Sequence, residues 1–110
     1  MSRCSFPTTV GFFLLVGVAF AAGAATTPER KEVKIDNFSF TAQTITVPAR
    51  TEVQWTNRDD IPHTVVSDDK IFKSKVLDTD QQFSYEFTKP GTYKYFCSIH
   101  PKMTGTVVVQ

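Results

Sequence analysis

The residues with the strongest claim to chemistry lie close together near the end of the chain, in Cys97-Ser98-Ile99-His100-Pro101-Lys102-Met103. They fall at the spacing C-x2-H-x2-M, a length that lets one loop between two strands bend three side chains toward a point. A fourth candidate, His63, stands in Ile61-Pro62-His63-Thr64-Val65. The chain has two histidines, two cysteines and two methionines, and Met1 and Cys4 belong to its opening segment. Every other histidine, cysteine and methionine therefore sits in these two short stretches. Taken singly, each has a plainer explanation: an exposed loop histidine, a core methionine or a buried cysteine. Gathered at this spacing, they form a metal-ligand set.

The donor types choose the metal. Two imidazoles, a thiolate and a weak axial thioether describe a mononuclear blue-copper site. Zinc accepts histidine and cysteine but rarely takes methionine as its fourth ligand. Thiolate and thioether suit Cu(I) and imidazole suits both oxidation states, so one copper ion cycling between Cu(I) and Cu(II) is the expected cofactor. His63, Cys97, His100 and Met103 are its expected ligands. With all four in use there is no open metal position. No serine–histidine–acid pattern and no phosphate-binding glycine loop occurs, which argues against an enzyme.

Strands must position these side chains. Val33 and Ile35, Phe38 and Phe40, Ile45 and Val47, and Val53 and Trp55 each alternate with polar neighbours. So do Phe83, Tyr85 and Phe87, then Tyr93, Tyr95 and Cys97, and Val107 to Val109 closes the chain. Period-two alternation rich in β-branched and aromatic residues predicts half-buried strands. Turn signals separate them at Pro48-Ala49-Arg50-Thr51, Asn57-Arg58-Asp59-Asp60 and Lys89-Pro90-Gly91. No stretch carries a helical stripe, and from Ser67 to Gln82 the pattern fades into charges. Seven or eight short strands predict an all-β sandwich, since one sheet alone would leave an apolar face wet. If Tyr93 and Tyr95 face inward, Cys97 does too and Phe96 faces out.

The opening segment reads differently. Met1-Ser2-Arg3 is a basic start, Val10 to Phe20 is an uncharged apolar run, and Ala22-Gly23-Ala24 fits a cleavage signal. This grammar predicts a signal peptide over residues 1–24, with cleavage after Ala24 or Ala25, and a single exported domain over 25–110. The apolar run is short of the roughly 20 residues a spanning helix needs. Without that segment eleven basic residues face eleven acidic ones, and no basic run or stripe points to nucleic acid. Cys97 is then the only cysteine, so no internal disulfide can form, and a lone thiol in an oxidising compartment calls for a partner or a ligand.

From about Val33 to its end the chain resembles the cupredoxins, most of all the small amicyanin and pseudoazurin type. The resemblance rests on Phe38-x-Phe40, Ile45-x-Val47, Val53-x-Trp55-x-Asn57, Pro62-His63-Thr64-Val65, Gly91-Thr92-Tyr93-x-Tyr95-x-Cys97 and the C-x2-H-x2-M loop. The last is the most specific, because azurins and plastocyanins have longer loops. The resemblance implies a Greek-key β-sandwich carrying single electrons between soluble or membrane-bound redox partners; the export signal sets that work in the periplasm, and the chain is expected to be a monomer. It also implies a docking face of Ile61, Pro62, Ile99 and Pro101 around the ring edge of His100, with His63 and Met103 more enclosed. The alternative is a copper storage or delivery module, which reversible one-electron cycling with unchanged ligands would exclude. The chain departs from the family pattern in several places. Arg50 stands where glycine is usual, and a positive φ at that position would carry a conformational cost. Thr64 replaces asparagine, a change that leaves its N–H able to donate to the Cys97 sulfur and its hydroxyl able to tie the two ligand loops. Ser98-Ile99 replaces threonine-proline, and Lys102 an apolar residue.

Overall fold

The computed structural model describes residues 29–110. Residues 1–24, the expected signal peptide, lie outside the described residues. Eight strands run in chain order: β1 Arg30–Asp36, β2 Ser39–Thr41, β3 Thr44–Val47, β4 Thr51–Asn57, β5 Val66–Ser67, β6 Gln82–Phe87, β7 Gly91–Phe96 and β8 Thr104–Val109. One four-stranded sheet has the order β2-β1-β4-β6 and the other β3-β8-β7-β5. Both are mixed: β1 runs parallel to β4 and β3 parallel to β8, while the other pairs are antiparallel. The expected all-β sandwich is the observed one. No described helix is long and apolar enough to cross a membrane.

The alternation seen in the sequence is the alternation of burial. In β1, Val33 and Ile35 are buried between exposed neighbours, and in β3 Ile45 and Val47 are. β4, flanked by β1 and β6, buries Val53 and Trp55 on its inner face. Trp55 anchors an aromatic core with Phe72, Phe83, Phe87 and Tyr95, at ring separations of 5.3 to 6.4 Å. Such large rings dominate the burial energy of a small sandwich. Tyr95 lies on Gly105 of the neighbouring strand, where a Cβ would come within 2.3 Å of its ring. Burial pushes its phenol up to about 12, so the core ring stays neutral.

Three expectations need correction or completion. Phe38 does not share a strand face with Phe40. Strand β2 begins at Ser39, and Phe38 sits in the turn before it with φ 57°, its side chain 53% exposed. The period-two alternation of the sequence continues straight across a reversal of chain direction. The faded region after Ser67 contributes to the core after all, through Phe72 and Leu77. It is held by the isolated bridges His63↔Leu77 and Val66↔Lys73 rather than by a ladder, which is why no alternation marks it. Arg50 does sit at positive φ, 74°, so the conditional cost applies, and its N–H donates to the Phe87 carbonyl at 2.6 Å.

From β2 to β7, each connection crosses from one sheet to the other. The β4–β5 crossing carries His63, and the β7–β8 connection carries Cys97, His100 and Met103. The β1–β2 turn carries Phe38. All three meet at one end of the sandwich.

Candidate metal centre

Strand β7 delivers the sulfur. Tyr95 faces the core, so Cys97, two residues on, faces the same way and is fully buried. The loop beyond it is closed by its own backbone. The His100 N–H donates to the Cys97 carbonyl at 3.1 Å, the Met103 N–H to the His100 carbonyl at 2.8 Å, and the Cys97 N–H to the Met103 carbonyl at 3.0 Å. Two successive tight turns therefore fix where His100 and Met103 emerge. His63 arrives on the β4–β5 crossing, clamped to Leu77 by reciprocal backbone bonds of 3.1 and 2.8 Å.

The structure brings three expected ligands together. His63 Nδ1 lies 3.7 Å and His100 Nδ1 3.8 Å from Cys97 Sγ, and the three donor atoms lie within 4.8 Å of one another. Both rings thus turn the same nitrogen toward the sulfur. The separations exceed ordinary hydrogen bonds yet suit an ion seated between, given metal–ligand bonds of about 2.0–2.3 Å. Met103 is buried at the same end and joins the loop through its backbone bonds to Cys97 and His100.

The electrostatics fit a cation. Burial raises the Cys97 pKa, but the Thr64 amide and the two imidazoles more than reverse this, and the thiol is held down to about 6. The pocket favours the thiolate that binds metal. The Thr64 N–H donates to the sulfur at 3.4 Å, and its hydroxyl approaches at 3.8 Å. The same hydroxyl accepts from the Ser98 N–H and meets the Ser98 hydroxyl, both at 2.7 Å, so it ties the two ligand loops as the sequence suggested.

Sequence reasoning missed two supporting residues. Asp59 Oδ2 lies 2.8 Å from His63 Nε2. With the Nε2 proton directed at that carboxylate, Nδ1 keeps its lone pair for a metal, the usual carboxylate–histidine arrangement around metals. Burial raises the Asp59 carboxyl pKa, but hydrogen bonds from the Phe38 amide, His63 and the Asn37 amide outweigh it and hold the group below its ordinary value. Asn57, wholly buried, is the second. Its amide donates to the Ile61 and Leu77 carbonyls at 2.9 and 2.8 Å, and its Oδ1 accepts from the Asp59 N–H at 2.9 Å. The spacing of Asn57 and Asp59 around His63 resembled ordinary turn chemistry and carried no sign of these roles.

A β-sandwich with two imidazoles and a lowered-pKa thiolate converging at one end defines a mononuclear metal protein of the blue-copper class. A cupredoxin-like domain family model matches residues 9–109, and the chain belongs to the cupredoxin family. Amicyanin-alpha of Methylorubrum extorquens is 35% identical over 102 residues, which are 84% of this chain and 86% of that protein. The purple cupredoxin of Nitrosopumilus maritimus superposes with a TM-score of 0.71 at 32% identity, covering 73% of this chain and 99% of the other. A copper-containing nitrite reductase from Thermus scotoductus SA-01 gives a TM-score of 0.71 at 32% identity, over 84% of this chain but 25% of the enzyme. Copper is the cofactor that this membership and the donor set imply, in a cupredoxin electron carrier of amicyanin-like type.

Proposed function

We propose that His63, Cys97, His100 and Met103 hold one copper ion and that the chain carries single electrons between a donor and an acceptor protein in the periplasm. The observation that carries the assignment is the convergence of two Nδ1 atoms on a buried sulfur that already accepts a backbone N–H. Bound copper supplies a one-electron couple between Cu(I) and Cu(II). The protein's own part is to keep the donors still while the charge changes. Asp59 fixes the His63 tautomer, the Thr64 amide shares the charge on the sulfur, and two backbone turns hold His100 and Met103 in register.

His100 is the ligand with access to solvent, at the surface where Ile99 is 43% exposed and Pro62 and Pro101 are exposed too. In this proposal a redox partner docks there transiently and the carrier works as a monomer. Residues 1–24 direct export and are removed, leaving 25–110 as the working domain. The chain acts as a carrier rather than an enzyme, because the four ligands leave no position for a substrate.

Exported protein loaded with copper should hold one ion and show an intense visible band that Cys97→Ser abolishes without unfolding the sandwich. Met103→Gln should keep the copper and lower its reduction potential, because a harder axial ligand favours Cu(II). Its intact mass should begin near Ala25 or Thr26. A Cys97→Ser protein with the same band would falsify the ligand assignment, and failure to cycle reversibly would favour copper storage or delivery.

A further inference from the structure

Strands β1 and β2 are joined by Asn37 and Phe38 alone, between the paired residues Asp36 and Ser39. Both loop residues are left-handed, at φ 53° and 57°. A two-residue hairpin loop of this kind favours asparagine followed by glycine, so Asn37 is apt and Phe38 is not. A bulky side chain at positive φ is a true outlier and persists only where its surroundings over-determine it. Burial does not explain it, since Phe38 is 53% exposed.

Its surroundings do over-determine it. Asp59 Oδ1 accepts the Asn37 N–H at 2.6 Å, and Oδ2 accepts the Phe38 N–H at 2.9 Å while also facing His63 Nε2. One carboxylate thus grips both amides of the strained turn and a ligand imidazole. Asp59 is itself anchored, its N–H to Asn57 Oδ1 and its carbonyl to the Thr79 hydroxyl at 2.6 Å. The grip sets the Phe38 ring perpendicular to both imidazoles, 5.8 Å from His63 and 5.2 Å from His100. Phe38 also lines, with Met103 and Lys102, a cleft of about 260 Å³, space for several waters.

We infer that Phe38 is an aromatic shield of the copper centre, held by Asp59 against its own backbone preference, and that its ring restricts the entry of small solutes to the two imidazole ligands. The inference rests on the copper reading. Its subject is distinct, however: how open the site is, and which residue decides that.

The test uses the full chain in its reduced, copper-loaded form and follows the rate at which a hydrophilic Cu(I) chelator removes the metal. Phe38→Gly removes the ring and suits the turn, and Phe38→Asn removes it while tolerating the left-handed backbone. Both should speed removal by roughly tenfold while leaving the urea midpoint unchanged or higher. Phe38→Trp should restore slow removal. Val76→Gly, a control at a residue equally exposed, should change nothing. In Asp59→Asn one acceptor oxygen replaces two, so exchange of the Asn37 and Phe38 amide hydrogens should accelerate by roughly tenfold. Unchanged removal in both ring-deleted variants overturns the shield, and unchanged amide exchange in Asp59→Asn overturns the grip. A chain that takes up no copper sinks the copper reading and the shield with it, while the exchange measurement still decides whether Asp59 holds the turn.

Discussion

The two histidines face the same sulfur at nearly the same distance, yet they are held by different means. His63 is fully buried and fixed from far away in the sequence: Leu77 grips its backbone, Asp59 its ring, and Asn57 the loop that leads to it. His100 is partly exposed, and its backbone is fixed by the three-residue steps to Cys97 and Met103. One ligand is part of the fold and the other is part of a loop. The difference separates two tasks that a carrier must combine, keeping the donor geometry constant and presenting one ligand edge to a partner.

The comparison breaks most visibly if the two histidines are deleted in turn. In the metal-free chain His63→Ala should cost about 3 kcal/mol, from a buried cavity and a carboxylate left without its imidazole. His100→Ala should stay within about 0.5 kcal/mol, as surface changes do. Urea unfolding of both variants decides it, and equal losses would erase the distinction. Next in size is Asn57→Ala, which leaves two carbonyls and the Asp59 amide without their partner and should cost roughly 2 kcal/mol. The copper-loaded variant should also show broadened His63 resonances in its reduced form, with those of His100 unchanged.

The smallest effect is a pH dependence. Cys97 titrates at about 6 in the fold, against an ordinary thiol value of 9.0. A lowered pKa means that the unfolded chain binds a proton the folded one has lost. The thiol's contribution to metal-free stability should therefore be absent below about pH 6, rise through the interval up to about 9 and level off above it. Urea midpoints across that range, compared with Cys97→Ser, isolate the term. If that variant rises with pH just as much, the thiolate contributes nothing.

How much of this was legible in the sequence follows the same division. Cys97, His100 and Met103 lie within seven residues, and a local loop announces itself by its spacing. The inward direction of Cys97 followed from Tyr95 by simple alternation, and His63 was found by inventory because the chain has so few soft donors. What stayed hidden is what acts over distance. Asp59 lies among turn formers, and the amides it grips are 22 and 21 residues earlier in the chain. Leu77 and Phe72 reach the core from a segment held by isolated bridges, which have no period to detect. Phe38 reads as a strand residue because hydrophobic alternation continues through a turn whose left-handed residues only the fold can fix.

The meeting of three separate connections at one end of the sandwich has one more consequence. The turn at Asn37-Phe38, the crossing with Asp59 and His63, and the loop from Cys97 to Met103 are separated by long stretches of chain and belong to no common hairpin. No fragment short of the closed sandwich brings them together. Contacts so distant in sequence require much loop entropy to be lost before they can form. The assembled site is therefore a record that folding has finished, and a spectroscopic signal from it would report completion of the whole domain rather than of any part.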